Sequence, residues 1–220
     1  MRQLTIRGID KKFILEPGKI YNINIENINY YHYLVLSLFN EDIETFIYSN
    51  DLKLIDFNKE SLFISDLYSC SINSKKILNS LYKRIIESLP SSIKEEELIN
   101  INSSILEILK KIELDLDVPI DYETDLDLSS IFSLYKLSFK EDYNSNIEKL
   151  IAFIKANLEI KKVYLVITLN TLPLFNENEQ NLLKIELELM GVSLININLC
   201  VRNKTLSVEY ITIDNDLCQF

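Results

Sequence analysis

Residues 162–199 constrain the fold more than any other part of this chain. Residues 162–169 are a nearly unbroken β-branched and aliphatic run. Residues 175–190 have helical spacing with a capping-box start at Asn176 and Glu179, and 192–199 form a second apolar strand after Gly191. A strand apolar on both faces belongs in a sheet covered on both sides, and a crossover this long requires parallel pairing with a right-handed connection. The stretch is a βαβ unit. Residues 206–213 alternate better and are expected as an edge strand.

The N-terminal quarter is β-rich. Strands are expected at 4–7, 13–15 and 20–25, the last two joined by a plain hairpin turn at Pro17-Gly18, and at 45–48 and 52–55 around Asn50-Asp51, with a helix at 29–39 between them. After an N-cap at Asn73-Ser74, Ile77, Leu78, Leu81, Ile85, Ile86 and Leu89 recur at helical spacing and stop before Pro90. A second helix, 93–112, places Leu98, Ile101, Ile105, Leu109 and Ile112 on one stripe, with Glu95, Glu96 and Glu97 complementing the dipole in its first turn. Further helices are expected at 128–137 and 146–158. The fold class is therefore α/β: a parallel-sheet head domain built from both chain ends, 1–72 and 159–220, with an inserted α-helical domain at 73–158.

Several function classes find no support. A parallel sheet invites a nucleotide, but the chain has three glycines, and Gly18-Lys19 is a poor phosphate loop: Phe13 stands five residues earlier, Pro17 removes a donor amide and Ile20 replaces Ser or Thr. The only histidine, His32, sits in an apolar stretch and is expected at the core or its rim. No Gly-x-Ser-x-Gly elbow is present. The start lacks the apolar core of a signal peptide, the most apolar runs (33–39 and 163–169) are too short to span a bilayer, and Cys70, Cys200 and Cys218 fit no disulfide or metal spacing. A soluble, cytoplasmic protein with no membrane partner is expected. With 33 acidic against 23 basic residues, net charge −10, the composition argues against loose, sequence-blind nucleic-acid affinity from bulk charge alone, so any such contact must come from locally concentrated cations.

Seven of those acids, Glu113, Asp115, Asp117, Asp121, Glu123, Asp125 and Asp127, fall within fifteen residues that hold no Lys, Arg or His. Like charges this close are solvated, partly protonated or neutralised by a hard cation. Three readings stay open: a solvated loop between helices; a calcium site drawing on Glu113, Asp115, Asp117 and Asp121; and a divalent-metal-dependent nuclease using the cluster at 113–127, although no basic group stands within the run. The spacing is not that of an EF-hand, whose central glycine is missing.

Four stretches taken together resemble the CRISPR-associated spacer-acquisition proteins of type II-A systems. They are Leu52-Lys53-Leu54-Ile55-Asp56 followed by Glu60-Ser61 and Asp66; Asn73-Ser74 leading to Ile77-Leu78; Glu113-Leu114-Asp115-Leu116-Asp117; and Lys161-Lys162 entering the βαβ unit. The resemblance implies an α/β head related to P-loop NTPase cores but without a nucleotide site, and a helical leg. It implies a non-enzymatic homotetrameric ring that admits double-stranded DNA from its ends in prokaryotic CRISPR adaptation, alongside the adaptation integrase and the effector nuclease. It implies Ca²⁺ held by Glu113, Asp115, Asp117 and Asp121, with Glu123, Asp125 and Asp127 as further candidates; Val118-Pro119-Ile120 departs from the polar continuation of the family. DNA-facing candidates are Lys11, Lys12, Lys53, Lys59, Lys75 and Lys76, acting through phosphates and therefore without sequence preference.

Overall fold

A computed structural model of the chain describes residues 1–51, 53–90, 93–199 and 208–220. Leu52, Cys200 and the expected strand start at Leu206 and Ser207 lie outside the described residues, as does the side chain of Glu95. In chain order the elements are β1 (Arg2–Ile6), β2 (Phe13–Ile14), β3 (Ile20–Ile25), α1 (Ile28–Phe39), β4 (Phe46–Asn50), β5 (Lys53–Leu54), α2 (Phe57–Glu60), β6 (Ser61–Ile64) and α3 (Lys75–Ser88). A π-helical turn, Ile93–Glu97, then leads into α4 (Leu98–Leu114), followed by α5 (Leu128–Leu134), α6 (Asn146–Ile160), β7 (Leu165–Leu169), a 3₁₀ turn, α7 (Glu177–Met190), β8 (Ser193–Leu199) and β9 (Glu209–Ile213). They fall into two compact units: Met1–Ile72 with Asp142–Phe220, and Asn73–Glu141.

In the first unit, β7, α7 and β8 make the βαβ unit, with β7 and β8 paired in parallel. The full sheet runs β6-β7-β8-β3-β9 with every neighbouring pair parallel, and β9 takes an edge as its alternation requires. Strand residues of odd and even number face opposite ways. Ile23, Ile25, Leu165, Ile167, Ile195 and Ile197 therefore join Leu34 and Leu38 of α1 in one core, while Ile20, Val166 and Leu194 join Leu150 and Ile154 of α6 and Leu183 and Leu187 of α7 in the other. Each fully buried aliphatic side chain contributes roughly 1.5–3 kcal/mol. A second, antiparallel sheet, β2-β1-β4-β5, supplies Leu4, Ile6, Phe13, Phe46 and Tyr48 to the first core.

Three expectations change. No hairpin forms at Pro17-Gly18: β2 pairs with β1, whereas β3 lies between β8 and β9 in the other sheet. The turn is a crossing between sheets. Gly18 adopts φ +75°, its N–H donates to the Val192 carbonyl at 2.9 Å, and a Cβ there would come 2.8 Å from Cβ of Glu188. Helix α6, expected within the inserted helical segment, belongs to the unit of the sheet, because its buried residues Ile147, Leu150, Ile151 and Ile154 fill the second core. Periodicity reveals such a stripe but not what covers it. Finally, the edge strand β6 was not expected at all, since Leu62, Phe63 and Ile64 are too short a run to stand out.

Gly18-Lys19 also enters β3 at its N-terminal end, whereas parallel sheets bind ligands beyond the carboxyl ends of their strands. There β3 passes to α1 through Glu26 and Asn27 alone, and the Asn27 carboxamide accepts the Tyr30 N–H at 3.0 Å, capping the helix itself.

In the second unit, Ser74 caps α3, the Tyr82 and Phe132 rings meet edge-on at 5.5 Å, and the Tyr82 hydroxyl donates to the Leu137 carbonyl at 2.7 Å. Asn73 both donates to the Phe139 carbonyl and accepts its N–H. Helix α4 has no buried residue. Its Ile101, Ile105, Ile108 and Ile112, spaced four, three and four apart, are between 41% and 58% exposed.

Candidate metal and nucleic-acid sites

The acidic segment leaves the C-terminal end of α4, capped at Asp115, and re-enters helix at α5, whose N-cap is Asp127. Its course is set by a few local bonds. Asn102 of α4 donates to the Thr124 carbonyl at 2.8 Å, the Tyr122 hydroxyl donates to Glu113 Oε2 at 3.3 Å, and Asp121 accepts the Tyr122 N–H at 3.0 Å. Asp127 accepts the Ser130 N–H at 2.9 Å and the Ser130 hydroxyl at 2.6 Å, and the hydroxyl bond holds its carboxyl below the usual range.

Glu113, Asp115, Asp117, Asp121, Glu123, Asp125 and Asp127 are all exposed. Among the described residues, no three acidic, histidine or cysteine side chains stand close enough to hold a metal ion. One chain therefore does not gather Glu113, Asp115, Asp117 and Asp121 into a coordination sphere. Such a segment holds its charge in solvent unless carboxylates from elsewhere complete a shell of six to eight oxygens.

The six lysines divide between the units: Lys11, Lys12, Lys53 and Lys59 in the first, Lys75 and Lys76 in the second. Lys11 Nζ is 2.8 Å from Glu209 Oε2, and Lys19 reaches the same carboxylate at 3.1 Å. Lys59 lies 3.8 Å from Asp56 and is 79% exposed, a pair worth little in water. Lys12 and Lys53 are exposed. Lys75 and Lys76 open α3, where no acidic residue offsets them against the positive end of the helix dipole.

His32 is exposed on α1, at the rim and not in the core. Cys70 is half-buried, its thiol pushed up to about 11 by that burial, and Cys218 is exposed. No helix among the described residues is long and apolar enough to cross a membrane.

Sequence reading missed one polar constellation. Asn22 and Asn24 on β3 stand in register with Asn196 and Asn198 on β8, and all four are at most 4% exposed. Asn196 Nδ2 donates to Asn22 Oδ1 and Asn198 Oδ1 at 2.7 Å, and Asn198 Nδ2 donates to Asn22 Oδ1 at 2.7 Å and Asn24 Oδ1 at 3.0 Å. Asn196 Oδ1 accepts the Thr168 hydroxyl at 2.7 Å and the N–H groups of Thr171 and Leu172. The signal was present: both strands carry asparagines two apart, hence on one face, within otherwise apolar runs.

The family model described as CRISPR-associated protein (Cas_Csn2) matches residues 38–217, more than half of the chain and including the acidic segment and the βαβ unit. No curated protein matches the chain at a significant level.

Proposed function

The chain belongs to the Cas_Csn2 family of CRISPR-associated proteins, and from that premise we propose that it is a non-catalytic, sequence-independent binder of double-stranded DNA ends in the acquisition of new spacers. It acts as a homotetrameric ring in the prokaryotic cytoplasm, beside the adaptation integrase and the effector nuclease. The family match carries this reading. Two features of the chain support it. The isoleucine stripe of α4 is too apolar to be left in water economically, which favours an assembly of several chains. The acidic segment, which one chain leaves without a metal sphere, suits Ca²⁺ shared with a neighbouring copy through Glu113, Asp115, Asp117 and Asp121. Contacts to DNA are drawn from Lys11, Lys12, Lys53, Lys59, Lys75 and Lys76 and go to phosphates.

The test is binding of linear against covalently closed circular duplex, with calcium and with chelator, while light scattering follows the mass. Tetramers strengthened by calcium that retain only DNA with free ends are expected. Equal retention of both forms overturns threading, absence of binding to either overturns the DNA role, and cutting of linear duplex with Mg²⁺ or Mn²⁺ makes the protein a nuclease.

A further inference from the structure

The loop joining β1 to β2 carries Arg7, Lys11 and Lys12 within six residues of a chain whose net charge is −10. Lys11 is held by Glu209. Arg7 and Lys12 are exposed, and neither has an ion-pair partner among the described residues.

The backbone of this loop is fastened from Arg7 to Asp10, and Lys12 directly precedes β2, whose Phe13 pairs with Leu4 of β1. The Arg7 N–H donates to the Thr45 carbonyl at 2.9 Å, and the Arg7 carbonyl accepts the Tyr30 hydroxyl at 2.6 Å. Gln219 spans the next turn, its Nε2 donating to the Gly8 carbonyl at 3.0 Å and its Oε1 accepting the Asp10 N–H at 2.9 Å. Ile9 is buried and donates back to Ile6. Gly8 takes φ +85° with the Tyr30 hydroxyl 2.9 Å from where a Cβ would stand, so no other residue fits without a shift. Gln219 is itself anchored: Thr212 and Phe220 exchange both backbone bonds at 3.0 Å.

We propose that residues 7–12 form a preorganised contact for the phosphates of a DNA duplex, with Arg7 and Lys12 as the contacting cations and Gln219 as the residue that positions their loop. The proposal rests on the DNA-binding reading above and adds to it Arg7, Gln219 and a reason to prefer this loop over the other lysines. A cation presented on a fixed backbone loses less freedom on binding than one on a mobile loop. Arg7 offers a planar fork to two phosphate oxygens, while Lys12 is a point charge.

Fluorescence anisotropy with a linear duplex across a salt series tests this. Arg7→Gln with Lys12→Gln is expected to weaken binding on the order of tenfold or more, and to flatten the dependence of log affinity on log salt by about 0.9 per lost contact. Gln219→Ala is expected to weaken binding several-fold with an unchanged slope, because both charges remain. Lys162→Gln with Lys184→Gln, which removes two exposed charges elsewhere, serves as the control. A wild-type chain that binds no linear duplex removes the underlying reading. A wild-type chain that binds, with a slope the Arg7/Lys12 variant does not change or the control flattens equally, overturns this inference alone. A Gln219→Ala chain of wild-type affinity overturns the positioning role.

Discussion

Asn196 shows how much one carboxamide can hold. Removing it strands the Thr168 hydroxyl, two backbone N–H groups and a share of the bonds of Asn22 and Asn198 in a dry interior. Each buried polar group left without a partner costs about 1–3 kcal/mol, so Asn196→Ala is expected to lose at least about 3 kcal/mol in urea unfolding. A loss below roughly 1 kcal/mol would contradict the network. Titration gives a second handle. Asp42 is held below the usual carboxylate range by the Thr45 hydroxyl, Asp66 by the Tyr68 N–H and Asp127 by the Ser130 hydroxyl; Glu209, which burial alone would raise, is brought below it by Lys11 and Lys19. Depressed folded values mean stability present above the ordinary carboxylate pKa, about 4, and lost as pH falls through the lower folded ones. The melting temperature should fall below about pH 4, and less steeply in Asp66→Asn. For the cysteines, mass-mapped alkylation near pH 8 should modify exposed Cys218 well before Cys70. None of these partnerships can be read from spacing alone: the asparagine pairs are visible in the sequence, but their meeting depends on β3 lying beside β8.

Among the elements, those legible in the sequence announced themselves through a single period or a cap. The Asn176/Glu179 capping box opens α7 and Gly191 closes it in the left-handed region. The acidic segment does run between helices α4 and α5. What was illegible was assignment to a partner. Pro17-Gly18 marks a turn whichever sheet the next strand joins, so β3 read as half of a hairpin. Helix α6 carries the same kind of stripe as α3, and only the sheet beneath it decides its unit. The turn into β3 yields a prediction at this scale. Gly18 and Gly191 share nearly the same φ, but a Cβ at Gly18 meets Glu188 at 2.8 Å whereas one at Gly191 meets nothing within 4 Å. Gly18→Ala should therefore cost about 2 kcal/mol or more, and Gly191→Ala about 1 kcal/mol. Equal shifts in melting temperature would mean that helix α7 yields easily beside the turn.

For the whole molecule, the contest is between a net charge of −10 and a polyanionic ligand. The acids concentrated at residues 113–127 lie in the second unit and the basic loop at 7–12 in the first. If α4 is an assembly surface, Ile105→Asp with Ile108→Asp should lower the mass in solution at any calcium concentration while leaving the far-ultraviolet circular dichroism unchanged; an unaltered mass would place the assembly elsewhere. The composition announced that cations must be concentrated to matter. It could not say which, because freedom from a carboxylate among the described residues, as at Arg7 and Lys12, is a property of the folded chain.

The order of strands in the parallel sheet has a further consequence, for the ribosome. β3 is complete by residue 25, yet both of its neighbours, β8 and β9, come from residue 193 onward. At about 5–20 residues per second, the nascent chain carries this strand with two open edges for roughly ten to thirty seconds before either neighbour is made. The sheet cannot close during synthesis of the helical segment, and β3, which has a neighbour on each side in the finished sheet, spends that interval exposed to any other strand that could pair with it. Truncation after α7 should therefore leave a chain that aggregates, and the full-length protein should depend on chaperones while it is being made more than its finished stability suggests.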